Sequence, residues 1–564
     1  MSAFTGMQLT KEEEPVLQAV DADIERYSKR LIRLRRRHNS FVRVNRLPPE
    51  LLAEIFLHCQ GKGWDLKPER SGTAMYRVTA PPLRWIFVTA VCNHWRQVAL
   101  QTPRLWSHIN LQYPQFAGYS LELAKRSPLY LETTRLNWSD ISVLTGVVSN
   151  KRRRVGGIWW ELECDRMHYR EEPLSNKLSK VLSQFRHMHV ASIYDMSHIL
   201  LLFANLDFPA IQTLDLVNCV AQLPPCLLAP TLKTLSLAVT RNAKSTLHIP
   251  FVEFTGYLSR MSQLTLLELT GIGFGQEEGR VGSQISLPNL RKVVLESGDT
   301  HYKSYLSLLE SLNLSPEVHL NLDFVGAENM SIEDLSSLLH ILLQHVRPVE
   351  LSTLTLRNDT RDFAIDLWED IFDPVDLIVD YPFPPYTLLL PQCLQETKPL
   401  WKMLTHLVKL NCIKTILFSD YDQKLNIHRR MQRFLRACDD VTDLGFESVD
   451  NHSVFLKQLR QDRRGEDDST PPPLAVPKLK MIYFSGVAWP RSSVQECPFD
   501  DLLSTLHNRA QAGHPLQEIV IRQCYNLTRT NIMDLHKKVD AVKPAMGMVK
   551  FTWDGHEEEY EEED

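Results

Sequence analysis

The chain is poor in features that mark several function classes. Its ten cysteines, at 59, 92, 164, 219, 226, 393, 412, 438, 497 and 524, never form a Cys-x-x-Cys pair. No Cys/His cluster has zinc spacing either, so the cysteines read as buried thiols of a reducing compartment. No apolar run is long enough to span a bilayer, and Met1 to Leu9 lacks the apolar core of a signal peptide. A cytoplasmic and/or nuclear protein with no membrane partner is expected, in which the sequon Asn137-Trp138-Ser139 stays unmodified.

Catalytic signatures are missing too. There is no phosphate-binding Gly-x-x-x-x-Gly-Lys-Ser/Thr loop, no Gly-x-Ser-x-Gly elbow and no His-Glu-x-x-His. Gly271-Ile272-Gly273-Phe274-Gly275 lacks dinucleotide-binding spacing and runs into the acidic Gln276-Glu277-Glu278-Gly279, so it reads as a loop. His187 and His189 flank Met188 on an expected strand, but without further ligands they read as exposed strand histidines rather than a metal pair. Asp439-Asp440 reads as surface charge. No catalytic residue, metal or cofactor is expected, and an enzyme assembled from distant residues finds no support in the motifs.

The 564 residues exceed one compact core. The net charge of −5 is concentrated in the tail Glu557-Glu558-Glu559-Tyr560-Glu561-Glu562-Glu563-Asp564, which leaves the rest nearly neutral. Nothing in that balance points to nucleic acid.

What is present begins with a helix over 11–38. Leu17, Val20, Ile24, Tyr27, Leu31 and Leu34 step by three and four along a heptad seam of about three heptads. Its C-terminal half is basic, at Lys29, Arg30, Arg33, Arg35, Arg36 and Arg37. A solvated helix face accounts for these cations; dimerisation or a nuclear-import patch are the functional alternatives.

Two short segments follow. Leu47-Pro48-Pro49-Glu50 opens a helix with prolines where a missing N–H is harmless, and Leu51, Leu52, Ile55, Phe56 and Cys59 form its apolar stripe. Val88, Val91, Cys92, Trp95, Val98 and Ala99 share one face of a second helix, which Pro103 stops just before Leu105-Trp106. In this order the segments resemble an F-box, most closely the F-box proteins common in mushroom-forming fungi, over residues 41–111. The Gln60–Arg84 stretch departs from the family as a loop insertion, and Asn93-His94 stands where a basic residue often precedes Trp-Arg. The resemblance implies an adaptor-binding face of Leu47, Pro48, Leu51, Leu52, Ile55, Phe56, Val91, Cys92, Trp95, Leu105 and Trp106, as contacts or their support. It also implies the partners: a Skp-family adaptor, through it a cullin-RING ligase, and an unknown protein substrate.

From 185 onward a pattern Pro-x-Leu-x-x-Leu-x-Leu recurs, as in Pro209-Ala210-Ile211-Gln212-Thr213-Leu214-Asp215-Leu216 and Pro230-Thr231-Leu232-Lys233-Thr234-Leu235-Ser236-Leu237. Further copies centre on Leu267/Leu269, Val293/Leu295, Leu354/Leu356, Ile416/Phe418, Leu444/Phe446, Ile482/Phe484 and Ile519/Ile521. Paired residues two apart on a strand point the same way, so stacked copies bury a ladder that one copy alone cannot. Helices are expected at Tyr119–Arg126, Tyr302–Leu314 and Ile332–Gln344. The whole resembles an irregular leucine-rich-repeat solenoid; an α/β domain with unrelated amphipathic strands is the plainer alternative. The residues between the paired leucines, Asp215, Ser236, Glu268, Val294, Thr355 and Tyr483, are the expected substrate-binding surface.

The expected fold class is α+β/α/β, a small N-terminal helical F-box-like module followed by an irregular leucine-rich-repeat solenoid. The expected organisation is a coiled-coil-like helix at 11–40, the F-box-like module at 41–111 with its insertion at 60–84, and a connecting α/β region at 112–184. The repeats occupy 185–546 with a disordered loop at 460–476, and an acidic tail fills 547–564. The expected function is that of a non-catalytic substrate receptor of a ubiquitin ligase; the alternative is a repeat scaffold in which the F-box-like helices only cap the solenoid.

Overall fold

The computed structural model describes residues 13–60, 84–111, 113–133, 155–162, 185–192, 200, 207–220, 223–239, 246–275, 284–297, 302–346, 351–358, 362–368, 384, 386–391, 394, 397–410, 413–420, 428–449, 452–460, 474–489, 499–546 and 549–555. The chain has an N-terminal helical region followed by a large, mostly parallel sheet with helices, of α/β class. It divides into two compact units, Met1–Met188 and His189–Asp564. Among the described residues no helix is long and apolar enough to cross a membrane.

The first unit opens with α1 (Glu13–Ser40). A 3-10 turn at Arg43–Arg46 leads through Leu47-Pro48 into α2 (Pro49–Cys59), whose first turn holds Pro49 and Glu50. After a 3-10 turn at Arg84–Phe87 come α3 (Val88–Val91) and α4 (Asn93–Gln101). The apolar spacing predicts one helix here. There are two because Cys92 is extended, at φ −158° and ψ 169°, and its Sγ accepts the Trp95 N–H at 3.5 Å as the cap of α4. Pro103 then starts a 3-10 turn ending at Trp106. Strand β1 (His108–Asn110), helix α5 (Pro114–Leu123), β2 (Leu129–Thr133) and β3 (Val155–Leu162) follow. α5 begins five residues before the expected Tyr119, because Pro114 supplies a helix start. The three strands are parallel and align the buried Ile109, Leu131 and Ile158.

The boundary between the units falls inside β4 (His187–Ser192). The second unit continues with β5 (Thr213–Val217), β6 (Thr234–Ala238), β7 (Thr246–Pro250), β8 (Leu266–Thr270), β9 (Gly273–Gly275), β10 (Ile285–Ser286), β11 (Lys292–Glu296), β12 (Leu312–Asn313) and β13 (His319–Asp323). Then come β14 (Thr353–Asn358), β15 (Asp362–Trp368), β16 (Tyr386–Pro391), β17 (Thr415–Asp420), β18 (Asp443–Glu447), β19 (Met481–Ser485), β20 (Glu518–Arg522) and β21 (Lys550–Trp553). β7 pairs with β9 and β10 with β12 in separate small sheets. The main sheet runs β5-β6-β8-β11-β13-β16-β15-β14-β17-β18-β19-β20-β21, and every pairing is parallel except the two made by β15.

Register explains the spacing of the leucines. Leu214, Leu235, Leu267, Val293 and Leu320 stand opposite one another, and Leu216, Leu237, Leu269, Leu295 and Leu322 form a second row two residues on. All of them have 0% exposure. Past β14 the second row becomes aromatic: Phe418 stacks on Phe446 at 5.9 Å and Phe446 on Phe484 at 5.5 Å. Each such side chain contributes about 1.5–3 kcal/mol by leaving water, and only a neighbouring strand lets it do so.

Helices pack beside the sheet. The helix Ile332–His345 is capped by Ser331, whose Oγ accepts the Asp334 N–H at 3.0 Å, and it buries Leu335, Leu338, Leu339 and Leu342. It packs on the helices Tyr302–Ser311 and Lys398–Leu410; farther along, Asp500–Gln511 packs on His452–Gln458 and Arg529–Met546.

Three expectations need correction. Gly273–Gly275 is a strand, not a loop: Gly271 turns the chain at φ +63°, where a Cβ would collide with the Val239 carbonyl, and donates its N–H to Glu296 O at 2.7 Å. The expected disordered loop at 460–476 is anchored at both ends. Arg460 binds the Asp501 carboxylate at 2.6 Å, while Leu474, Ala475 and Val476 are buried and Arg509 donates to the Ala475 and Val476 carbonyls at 2.9 and 2.8 Å. The rest of that loop (461–473), most of the insertion (61–83) and the end of the acidic tail (556–564) lie outside the described residues. Lastly, His189 is buried rather than exposed, with its Nδ1 2.7 Å from Asp215 Oδ2, whereas His187 is half-exposed.

The turn after β8 depends on one hydroxyl. The buried Tyr305 OH accepts the Ile272 N–H at 2.8 Å, and burial holds the phenol well above its ordinary pKa, so it stays neutral. Tyr305→Phe leaves that N–H unpaired and should cost about 1–3 kcal/mol in chemical denaturation; an unchanged midpoint would contradict the account.

Candidate docking surface

The helices of the first unit divide their apolar residues between a core and a surface. On α2, Leu52 and Phe56 are fully buried, while Leu51 and Ile55 remain 52% and 40% exposed. With Pro48 and Cys59, also exposed, they make a stripe along the helix at three- and four-residue steps. On the second segment Val91 is 58% exposed and Phe87 74%. Of the other expected contacts, Leu47, Cys92 and Trp95 are half-buried, and Leu105 and Trp106 belong to the core.

The buried set fixes the exposed one. Trp95 packs on Phe56 with ring centroids 5.1 Å apart, tying α4 to α2. Its indole Nε1–H donates to Asn45 Oδ1 at 2.6 Å, and Asn45 Nδ2 in turn donates to the Asn39 carbonyl at 2.7 Å. The turn that delivers Leu47-Pro48 is thereby pinned to the same tryptophan. Gln60 Nε2 donates to the Leu105 carbonyl at 3.0 Å, and Arg104 pairs with Glu54 at 3.1 Å. Trp106 donates its Nε1–H to the Ala99 carbonyl at 2.8 Å and packs edge-on against Trp85 and Tyr119, which joins these helices to α5. Asn45, Phe87 and Gln60 are absent from the sequence-derived set. Polar ties between distant segments leave no periodic trace, and Phe87 lies in a 3-10 turn outside the helical pattern.

In the second unit, the residues between the paired leucines also fall into register. Asp215, Ser236, Glu268 and Val294 stand opposite one another, and the row continues through Asn321, Thr387, Asp366, Thr355, Leu417, Gly445 and Tyr483. All six expected surface positions therefore share one row, but not one exposure. Asp215, Ser236 and Glu268 are half-exposed; Val294, Thr355 and Tyr483 are buried at 2%, 0% and 2%. Large side chains crowd this end: Trp368 packs with Leu417, and a Cβ at Gly445 would meet Leu417 Cδ1 at 2.5 Å, so Leu417 would have to shift to admit one. Burial pushes the Tyr483 phenol up to about 12.

The buried part of the row holds one charged group. Asp366 is 2% exposed, accepts from Thr387 Oγ1 at 3.0 Å, and pairs with Arg357 at 3.0 Å. Burial raises its pKa, against the opposing pull of Arg357 and Thr387. Among the described residues no group of three or more His, Cys, Asp and Glu is arranged to hold a metal ion. No protein-family model matches the chain, and no curated protein matches it.

Two outcomes test these assignments. Asn45→Ala should cost about 1 kcal/mol of stability and make the Trp95 fluorescence more solvent-like; no effect on either would remove Asn45 from the site. For Asp366 the raised pKa means that the folded state takes up the proton first as pH falls. Wild type should gain stability relative to Asp366→Asn between neutral pH and about pH 4. Thermal denaturation at several pH values reads the difference, and a constant gap would contradict the assignment.

Proposed function

We propose that the chain is the substrate-recognition subunit of a Skp-cullin-F-box type ubiquitin ligase. In this reading residues 41–111 are an F-box that docks a Skp-family adaptor and through it a cullin-RING ligase. The parallel sheet is an irregular leucine-rich-repeat solenoid that holds a protein target. The chain performs no chemistry itself; it brings the target's lysines to a ubiquitin-charged partner enzyme, in the cytoplasm and/or nucleus.

One observation carries the reading. The N-terminal helices bury Leu52, Phe56, Leu105 and Trp106, yet leave Leu51, Ile55, Phe87 and Val91 exposed. Exposed apolar side chains arranged as a stripe mark an interaction surface. Helix-in-groove docking uses just such i, i+4 anchors. Half-exposed Leu51 and Ile55 each retain roughly 1 kcal/mol to gain on burial. On the target side, the half-exposed Asp215, Ser236 and Glu268 offer the open stretch of the row, and a polar target surface suits them.

The alternative is a scaffold whose helices only cap the solenoid. Trp106 packing on Tyr119 of α5 favours some capping role. A pure cap, however, turns a polar outer face to solvent, and the exposed leucine, isoleucine, phenylalanine and valine do not.

Co-purification of the full chain with a Skp-family adaptor separates the two readings. Wild type should bind, and the Leu47→Ala/Pro48→Ala variant should lose binding. Ile55→Asp should weaken binding by about 2 kcal/mol or more with its melting temperature unchanged, because Ile55 is not in the core. Phe56→Ala should instead destabilise the fold by about 3–5 kcal/mol. No binding by well-folded wild type would leave the capping scaffold.

A further inference from the structure

Among the described residues, helix α1 meets little beyond the turn that follows it. Its residues from Pro15 to His38 are all exposed, including the seam residues Leu17 (44%), Val20 (49%), Ile24 (57%), Tyr27 (60%), Leu31 (48%) and Leu34 (56%). An amphipathic helix of this length gains its stability by covering such a stripe. The charge distribution indicates what covers it. Residues 13–25 contain Glu13, Glu14, Asp21, Asp23 and Glu25 and no base; residues 26–40 contain Arg26, Lys29, Arg30, Arg33, Arg35, Arg36 and Arg37 and no acid. The helix is acidic in one half and basic in the other.

We propose that α1 pairs with α1 of a second copy of this chain in antiparallel register. Turning one helix end for end lays each acidic half on a basic half. The seam then closes in layers, Leu17 on the partner's Leu34, Val20 on the partner's Leu31 and Ile24 on the partner's Tyr27. In a heptad that starts at Leu17, Asp23 and Arg30 both flank the seam at g positions, and antiparallel packing sets g against g. Asp23 of each chain thus meets the partner's Arg30. A parallel pair would instead set Arg30 beside the partner's Arg35 and stack acid on acid. The 18-residue seam spans about 27 Å, close to the shortest that holds two helices together. The dimer is therefore weak and reversible, with a dissociation constant on the order of micromolar. It depends only on α1 and holds whether or not residues 41–111 bind an adaptor.

Sedimentation of the full chain over a series of concentrations and salt levels tests this. Wild type should show a monomer–dimer equilibrium that shifts toward monomer as salt screens the attraction. Ile24→Asp/Leu31→Asp should be monomeric with an unchanged melting temperature, because both residues are exposed in the single chain. Arg30→Glu should weaken dimerisation roughly three- to thirtyfold, and Asp23→Lys/Arg30→Glu should recover most of the loss. A wild type that stays monomeric throughout, a dimer that tightens with salt, or a charge swap that fails to rescue would overturn the proposal.

Discussion

The second unit depends on register. Strands β5, β6, β8, β11 and β13 each supply one Leu-x-Leu or Val-x-Leu pair to the same two rows, and each pair is covered by its neighbours in the ladder. A slip of one residue would turn leucines outward and set Asp215, Ser236 and Glu268 in the core. The strands are parallel, so each return crosses beside the sheet, and helices such as Ile332–His345 fill that space with their own leucines. The interposed residue follows from the same register: wherever two leucines face in, the residue between them lines up with its counterparts on the other face.

Much of this was legible in the sequence because period-two pairs carry a strong signal. Strands stand at Leu214/Leu216, Leu235/Leu237, Leu267/Leu269, Val293/Leu295, Leu354/Leu356, Ile416/Phe418, Leu444/Phe446, Ile482/Phe484 and Ile519/Ile521, each where the pattern placed one. β13 also carries such a pair, Leu320-Asn321-Leu322, but its leading apolar residue Val318 stands two residues before Leu320 where the pattern has three, so the full repeat is broken there. β15 was not legible at all. It runs antiparallel between β14 and β16, and Phe363-Ala364-Ile365 has no alternation, since β15 is buried from Phe363 to Trp368. The same insertion explains why Thr355 is not on a surface. Asp366 faces it across the ladder, and a one-strand pattern says nothing about its neighbours.

At the N-terminal helices the types of residue were legible and their partition was not. Spacing places Leu51, Leu52, Ile55 and Phe56 on one broad stripe; only packing decides that alternate members face inward. The division rests on Phe56 against Trp95 and on Trp95 bonded to Asn45. This polar tie links residues 50 apart in sequence, and it sets the Leu47-Pro48 entrance relative to α4. The break at Cys92 leaves no trace in the pattern because a cysteine that caps a helix through sulfur looks, in sequence, like any small apolar residue.

Under the proposed function the N-terminal helices are a docking face and the sheet holds a different partner. Hydrogen exchange on the full chain, with and without a Skp-family adaptor, tests that division most directly. Added adaptor should slow exchange at Leu47–Cys59 and around Val91–Trp95 and leave β5 to β11 unchanged. Slowed exchange confined to the sheet, or none in the helices, would contradict it.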